Sequence, residues 1–201
     1  NDVLDGKGRR FIERITENVE NMNQKIQEIM DVLKAGKVEY DLRDNDSGAI
    51  VKDVIARLQD KILENKIKIT FQDDLPNIYC DKERIQDVFT NLITNAIKFM
   101  GNDKRTQTSE GAWNITIGCK KNGEFYKFFI EDTGIGIQED YQEQIFEIFT
   151  RLNDIDVEGT GVGLSMVKKI VERHNGGIRV ESPIHEGRGS KFYFTIPVSR
   201  K

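Results

Sequence analysis

The sequence predicts an α+β fold: a two-layer sandwich of helices on a mixed, mostly antiparallel sheet, preceded by a coiled-coil-like helix. Three observations carry that prediction. Residues 8–34 hold a heptad seam, with Ile12, Ile15, Val19, Met22, Ile26, Ile29 and Leu33 alternating spacings of three and four between polar residues. Two alternating runs, NITIGCK and EFYKFFIE, are joined through Lys121-Asn122-Gly123, and Asn-Gly between such runs signals a hairpin. Around these strands lie runs with apolar residues at helical spacing, which bury their stripes by packing on one face of a sheet.

Taken in order, the seam ends near Gly36, and its narrow stripe predicts a bundle or dimer contact rather than packing on its own domain. Residues 36–48 read as a connector. Asp46 or Ser47 is placed to cap a helix over about 47–65, with Ile50, Val51, Val54, Ile55, Leu58 and Ile62 on one face. IKITFQDDLP alternates as a strand and stops at Pro76; a short apolar segment, Ile78 to Cys80, follows. Asp81 is placed to cap a helix over about 82–100. Residues 101–111 read as polar loop, the hairpin comes next, and a short helix is expected over about 138–148. A polar segment leads to a helix ending near His174, broken by Asn175-Gly176-Gly177, and the strands IRVES and SKFYFTIP close the chain.

Composition excludes several classes. With 30 Lys and Arg against 34 Asp and Glu the net charge is −4, so no basic surplus favours nucleic acid. No apolar run reaches the length of a membrane span, and there is no signal-peptide pattern. The chain begins Asn-Asp rather than Met, which predicts a fragment of a longer protein. This part is expected to be cytoplasmic, with membrane attachment of the full-length protein left open. Cys80 and Cys119 make no C-x-x-C and are expected to be reduced thiols; His174 and His185 lack metal-ligand spacing.

Four segments carry candidate chemistry. In NLITNAIKF, Asn91, Asn95 and Lys98 share one helix face; amide oxygens suit Mg²⁺ and a lysine can meet phosphate. In DTGIGI, Asp132 at a strand end is followed by Gly134 and Gly136, which let backbone approach a flat ligand, while a carboxylate accepts from an exocyclic amine. In GTGVGL, Gly159, Gly161 and Gly163 precede a helix, where bare N–H groups favour an anion. It is not a P-loop, for no Gly-Lys-[Ser/Thr] follows, and Met166 stands where a dinucleotide fingerprint needs its third glycine. In GRGSKFYF, glycines tighten entry to the last strand. Singly, these read as a solvated helix face, an Asp-Thr-Gly turn and ordinary glycine turns.

Together and in this order they resemble the catalytic ATP-binding domain of sensor histidine kinases, within the wider family of gyrase B, mismatch-repair ATPases and certain chaperones. NLITNAIKF resembles the family's N box, DTGIGI its G1 box, IFEIFTRL its F box, GTGVGLSMVKKIVERHNG its G2 box and GRGSKFYFTIP its terminal glycine box. The resemblance covers about residues 46–198 and implies a Bergerat-type ATP-binding fold. FIERITENVENMNQKIQEIMDVLKAGKVE resembles the second helix of the kinases' dimerisation and phosphotransfer hairpin, so residues 1–40 are expected to be a helical arm and 41–201 the catalytic domain. The first helix, with its phosphoacceptor histidine, has no counterpart here; His174 and His185 are expected to be structural. The narrower likeness is to hybrid or phytochrome-like sensor kinases.

The resemblance implies ATP and Mg²⁺ as ligands and assigns roles by position. Asp132 would bind the adenine amine, with Gly134, Gly136 and Ile137 beside it. Asn95, assisted by Asn91, would hold Mg²⁺, and Lys98 would neutralise phosphate. Phe99, where kinases often have Tyr, would line the pocket, and so would Ser190. Backbone from Thr160 through Gly161, Val162, Gly163 and Leu164 would meet the phosphates, Arg151 would reach them or a partner domain, and residues 150–160 would form an ATP lid. The implied reaction is γ-phosphoryl transfer to histidine for relay to an aspartate of a response regulator. The implied partners are the histidine-bearing helix of the same kinase, a receiver domain and a second copy of the full-length protein. Two competitors remain: a gyrase-like dimeric ATPase and a degenerate partner-binding module. Against the first, Asn91 occupies the position where hydrolysing relatives usually carry a water-activating Glu, and an amide is no general base. Against the second stand the intact glycines of the two nucleotide loops.

Overall fold

The computed structural model describes residues 6–35, 39–101, 113–150, 161–184 and 187–199. Helix α1 (Gly6–Ala35) is followed by strand β1 (Leu42–Asp46), helices α2 (Ser47–Arg57) and α3 (Gln59–Glu64), strands β2 (Lys68–Phe71) and β3 (Asn77–Asp81), and helix α4 (Lys82–Gly101). Strands β4 (Asn114–Asn122) and β5 (Phe125–Asp132), helix α5 (Gly163–Arg173) and strands β6 (Ile178–Glu181) and β7 (Ser190–Pro197) complete it. The main sheet has the order β2-β4-β5-β7-β6; only β2–β4 is parallel. β1 and β3 form a separate antiparallel pair.

Alternation along the strands sends one set of side chains to the helices and the other to the open face. On the inner face Ile115, Ile117, Phe128, Ile130, Phe192, Phe194 and Ile196 are buried against Ile50, Val54, Ile85, Phe89, Leu92, Val167 and Val171 of the helices. Phe89, Phe128 and Phe194 meet at its centre: Phe128 stacks on Phe194 at 5.0 Å, and Phe89 meets both edge-on. The seam residues Ile12, Ile15, Val19, Met22 and Ile26 of α1 are exposed, so among the described residues nothing covers that part of the stripe, although α1 contacts α5.

Four local expectations are corrected. The helix expected over 47–65 breaks at Leu58, whose φ of −96° and ψ of 4° leave helical geometry, giving α2 and α3. The connector contains β1, a polar strand that the buried β3 organises by pairing. The helix expected over 138–148 is two short 3₁₀ turns, Glu139–Tyr141 and Gln144–Phe146, each without a side-chain cap. The hairpin closes with Gly123 and Glu124 in the turn, because Asn122 still pairs with Phe125; Gly123 takes the left-handed φ of +59°. Asp46 caps α2, accepting from the N–H of Gly48 and Ala49 at 2.8 and 3.1 Å, and Asp81 accepts from the N–H of Arg84 at 3.1 Å at the start of α4.

Candidate functional site

The site is built where α4, the start of α5 and the ends of β5 and β7 converge. α4 presents Asn91 and Asn95, both half-buried, with Lys98 exposed one turn further on. The Asn91 amide nitrogen donates to the carbonyl of Asp87 at 2.9 Å, which orients its oxygen outward from the helix. A Cβ placed on Gly163 would lie 2.6 Å from that oxygen, so glycine is what lets α5 start against Asn91. Residues from two of the four chemical segments therefore share one spot.

The N-terminus of α5 differs from that of α2. Val162 precedes it with no side-chain cap, and Ser165 turns its hydroxyl to the carbonyl of Val162 at 2.7 Å rather than to an N–H. Among the described residues, the N-cap of this eleven-residue helix gives its first N–H groups no side-chain acceptor. Gly161 enters this turn with φ +73°, and its carbonyl accepts from Phe149 at 3.0 Å, joining the two ends of the segment between them. Leu164 is half-buried and Val162 is buried.

Asp132 ends β5 opposite Ser190 of β7 and is only 5% exposed. Its Oδ1 accepts from the N–H of Gly134 at 2.8 Å. Burial pushes the carboxyl up to about 6 despite the N–H groups of Gly134 and Ser190, which favour the ionised form. A Cβ on Gly134 would come 2.9 Å from that oxygen, and Gly136 has φ +79°. The main chain of Phe99 borders this turn, its carbonyl 3.3 Å from a Gly134 Cβ position.

A second tie fixes the turn from behind. The Ile137 N–H donates to Ser182 Oγ at 2.7 Å, Ser182 donates to the carbonyl of Gly189 at 2.8 Å, and its Oγ lies 3.2 Å from that of Ser190. The N–H of Gly189 donates to the carbonyl of Gly134 at 2.8 Å, and Gly189, φ +74°, has no room for a Cβ beside the carbonyl of Asp132. Ser182 and Gly189 thus hold the Asp132 turn; Gly189 belongs to the GRGSKFYF segment picked out in the sequence, whereas Ser182 was not singled out. The Ser-Pro that follows β6 was the one local sign; the partners are too distant along the chain for spacing to reveal them.

Of the expected site residues, Asn91, Asn95, Phe99, Asp132, Gly134, Gly136, Ile137, Gly161, Val162, Gly163, Leu164 and Ser190 fall along this margin of the sandwich. Arg151, Thr160 and the lid lie outside the described residues. The chemistry fits a nucleotide: a buried acceptor for an amine, an uncapped helix start for an anion, and amide oxygens for a hard cation. No cluster of three His, Cys, Asp or Glu side chains suited to a metal occurs among the described residues.

The opposite end of α5 is closed. His174 is 4% exposed; the Asp81 N–H donates to its Nε2 at 3.1 Å, and its Nδ1 donates to the carbonyl of Ile170 at 2.8 Å. Both ring nitrogens are occupied in the neutral tautomer, and burial lowers the pKa. This histidine is a structural cap.

The family model described as histidine kinase-, DNA gyrase B-, and HSP90-like ATPase matches residues 80–200. Cyanobacterial phytochrome B of Nostoc sp. is 37% identical over 198 residues, covering 97% of this chain and 25% of that protein. The chain spans about a quarter of the length of the phytochromes it matches and up to half of the shorter sensory kinases. Full-length ShkA in complex with AMPPNP shares the fold with a TM-score of 0.76 at 23% identity, over 96% of this chain and 39% of that one. The catalytic domain of histidine kinase ThkA aligns at 27% identity and a TM-score of 0.64, over 78% of this chain and 97% of that one. ThkA in complex with response regulator protein TrrA aligns at 24% identity and a TM-score of 0.73, over 99% of this chain and 54% of that one.

Proposed function

The chain belongs to the histidine kinase-, DNA gyrase B-, and HSP90-like ATPase family, and from that premise we propose that it binds Mg-ATP and transfers the γ-phosphoryl group to a histidine, for relay to an aspartate of a response regulator. The observation that carries this reading is the uncapped start of α5 set against the Asn91 amide by Gly163. Residues 41–201 act as the catalytic domain and 1–40 as part of a dimerisation and phosphotransfer region, whose exposed apolar seam suits a helix supplied by the full-length protein.

Each residue contributes binding or orientation. Asp132 accepts from the adenine amine, and Gly134 and Gly136 keep the ring close. The N–H groups of Gly163 and Leu164, with Lys98, meet phosphate oxygens; Asn95 and Asn91 hold Mg²⁺, which supplies charge neutralisation when bound. The P–O bond to the β-phosphate breaks as the acceptor imidazole bonds to phosphorus, so catalysis rests on holding the chain of phosphates in line. With Asn91 where a base would stand, water is not activated.

The test is calorimetric titration with ADP and AMPPNP, with and without Mg²⁺, followed by phosphoryl transfer to a separately supplied histidine-bearing helix hairpin. Saturable binding lost in Asp132→Ala and transfer lost in Asn95→Ala are expected. Steady phosphate release that Asn95→Ala abolishes would make it an ATPase; no heat at millimolar nucleotide would leave a partner-binding module.

A further inference from the structure

The open face of the main sheet carries an ordered lattice of side chains that nucleotide binding does not use. Strand register sets them in three rows. In the first, Glu131 pairs with Lys191 at 2.7 Å, and Glu181, across from Lys191, takes the hydroxyl of Tyr193 at 2.9 Å and Arg179 at 3.2 Å. In the second, Gly118, Phe129, Tyr193 and Arg179 lie side by side, and the Phe129 ring fills the space a Gly118 Cβ would need. In the third, Lys120 stands directly opposite Lys127, beside Thr195.

That third row is the anomaly. Like charges directly opposite across a strand pair are destabilising. Neither lysine has a carboxylate within ion-pair distance among the described residues, since Glu131 and Glu181 are engaged in the first row. Lys127 instead sits 3.7 Å from the Tyr193 ring centroid, with Lys191 over Phe129 at 4.3 Å. Burial and then Arg179 lower the Lys127 pKa, and Glu181 acts in the opposite direction. Two adjoining concavities open here, sharing Lys127 and Tyr193; one runs to Lys120, Phe129 and Lys191, the other to Arg179 and Thr195.

We propose that this face binds an acidic, extended peptide segment of a partner protein, whose carboxylates pair with Lys120 and Lys127 and draw Lys127 off the Tyr193 ring, so that an apolar side chain of the peptide takes its place there. Charge complementarity selects the occupant: the patch is basic on a chain of net charge −4. Nucleic acid is disfavoured, because two uncompensated lysines would release only about two counterions. An anionic membrane would gain about 1 kcal/mol per lysine, too little to hold the chain. A peptide adds apolar contact on the Tyr193 ring to its two ion pairs.

The test is fluorescence anisotropy of a labelled peptide alternating glutamate and phenylalanine, with and without excess ADP. Expected are saturable binding that ADP leaves unchanged, a loss of about tenfold or more in the Lys120→Glu/Lys127→Glu double variant, and none with the glutamine version of the peptide. Lys120→Glu alone separates binding from folding: it gives Lys127 a partner, so it raises the melting temperature while weakening the peptide. The proposal is overturned if the double variant binds as tightly as the parent, if ADP displaces the peptide, or if a single-stranded oligonucleotide or a phosphatidylserine vesicle binds and the peptide does not.

Discussion

Asp132 and His174 are almost equally hidden, 5% and 4% exposed, and their environments are built to opposite purposes. His174 spends both ring nitrogens on the backbone, at Asp81 and Ile170. Asp132 accepts from the N–H of Gly134, that of Ser190 also favours its carboxylate, and glycines at 134 and 189 let the backbone approach it closely. A buried polar group whose valences are filled by the protein stabilises the fold; a carboxylate with acceptor capacity left is prepared for a donor from a ligand. Burial favours the neutral form of both, raising the carboxyl and lowering the imidazole.

The largest effect should come from Asp132→Asn, which keeps the shape and removes the charge. Nucleotide affinity is expected to fall by about 2 to 3 kcal/mol, the worth of a hydrogen bond to a charged group, measurable by calorimetry. Stability should move the other way. The folded carboxyl is raised from 3.8 to about 6, so its contribution is fully present below the unfolded value and is lost as pH rises through about 6. The loss is on the order of 3 kcal/mol. Asp132→Asn should abolish it and melt higher than the parent at neutral pH. Binding in the parent should weaken below about pH 6, as the carboxylate is protonated. A variant that binds ADP like the parent would end the contrast.

His174→Ala should cost about 2 kcal/mol of stability, since it strands the Asp81 N–H, yet leave nucleotide affinity of the folded protein unchanged. Its pH sign is opposite. A lowered imidazole pKa gives stability that is present above the ordinary histidine value and lost as pH falls through the folded one, and the variant should lack that acid-side loss. A folded His174→Ala that binds nucleotide as poorly as Asp132→Asn would show that the two ends of the site are not separate.

The contrast also marks what the sequence could reveal. Heptad, hairpin and the apolar stripes of α4 and α5 are periodic, so the layers and most strands were legible. β1 was not, because LRDND has no apolar alternation and becomes a strand only by pairing with β3. The break at Leu58 falls within an unbroken apolar stripe. Single segments of the site were legible as glycine and amide patterns; their juxtaposition was not. That Gly163 seats α5 against Asn91, or that Ser182 braces Ile137 and Gly189, depends on how the layers stack.

Gly163→Ala sharpens the open side of the comparison. The new methyl would sit 2.6 Å from Asn91 Oδ1, the end of a side chain that can swing aside. Stability should therefore change by less than about 1 kcal/mol. The displaced amide should weaken Mg-ATP by about tenfold, ~1.4 kcal/mol, with ADP in the absence of Mg²⁺ nearly unaffected. Equal losses with and without Mg²⁺ would place the damage in the phosphate turn and not at Asn91.

Tyr40→Leu probes the closed side with the smallest expected effect. The Tyr40 ring lies 5.1 Å from the His174 ring, and the guanidinium of Arg173 lies 4.5 Å from its centroid. It therefore lies against the imidazole that accepts from the Asp81 N–H. Leucine would keep apolar cover and forfeit the aromatic and cation–π contacts, about 0.5 to 1 kcal/mol. If the closed end is stabilised as a unit, exchange of the Asp81 amide should quicken in Tyr40→Leu and more so in His174→Ala, with nucleotide affinity constant throughout. Unchanged Asp81 protection in Tyr40→Leu would confine the closure to the two histidine hydrogen bonds, which the ring then merely adjoins.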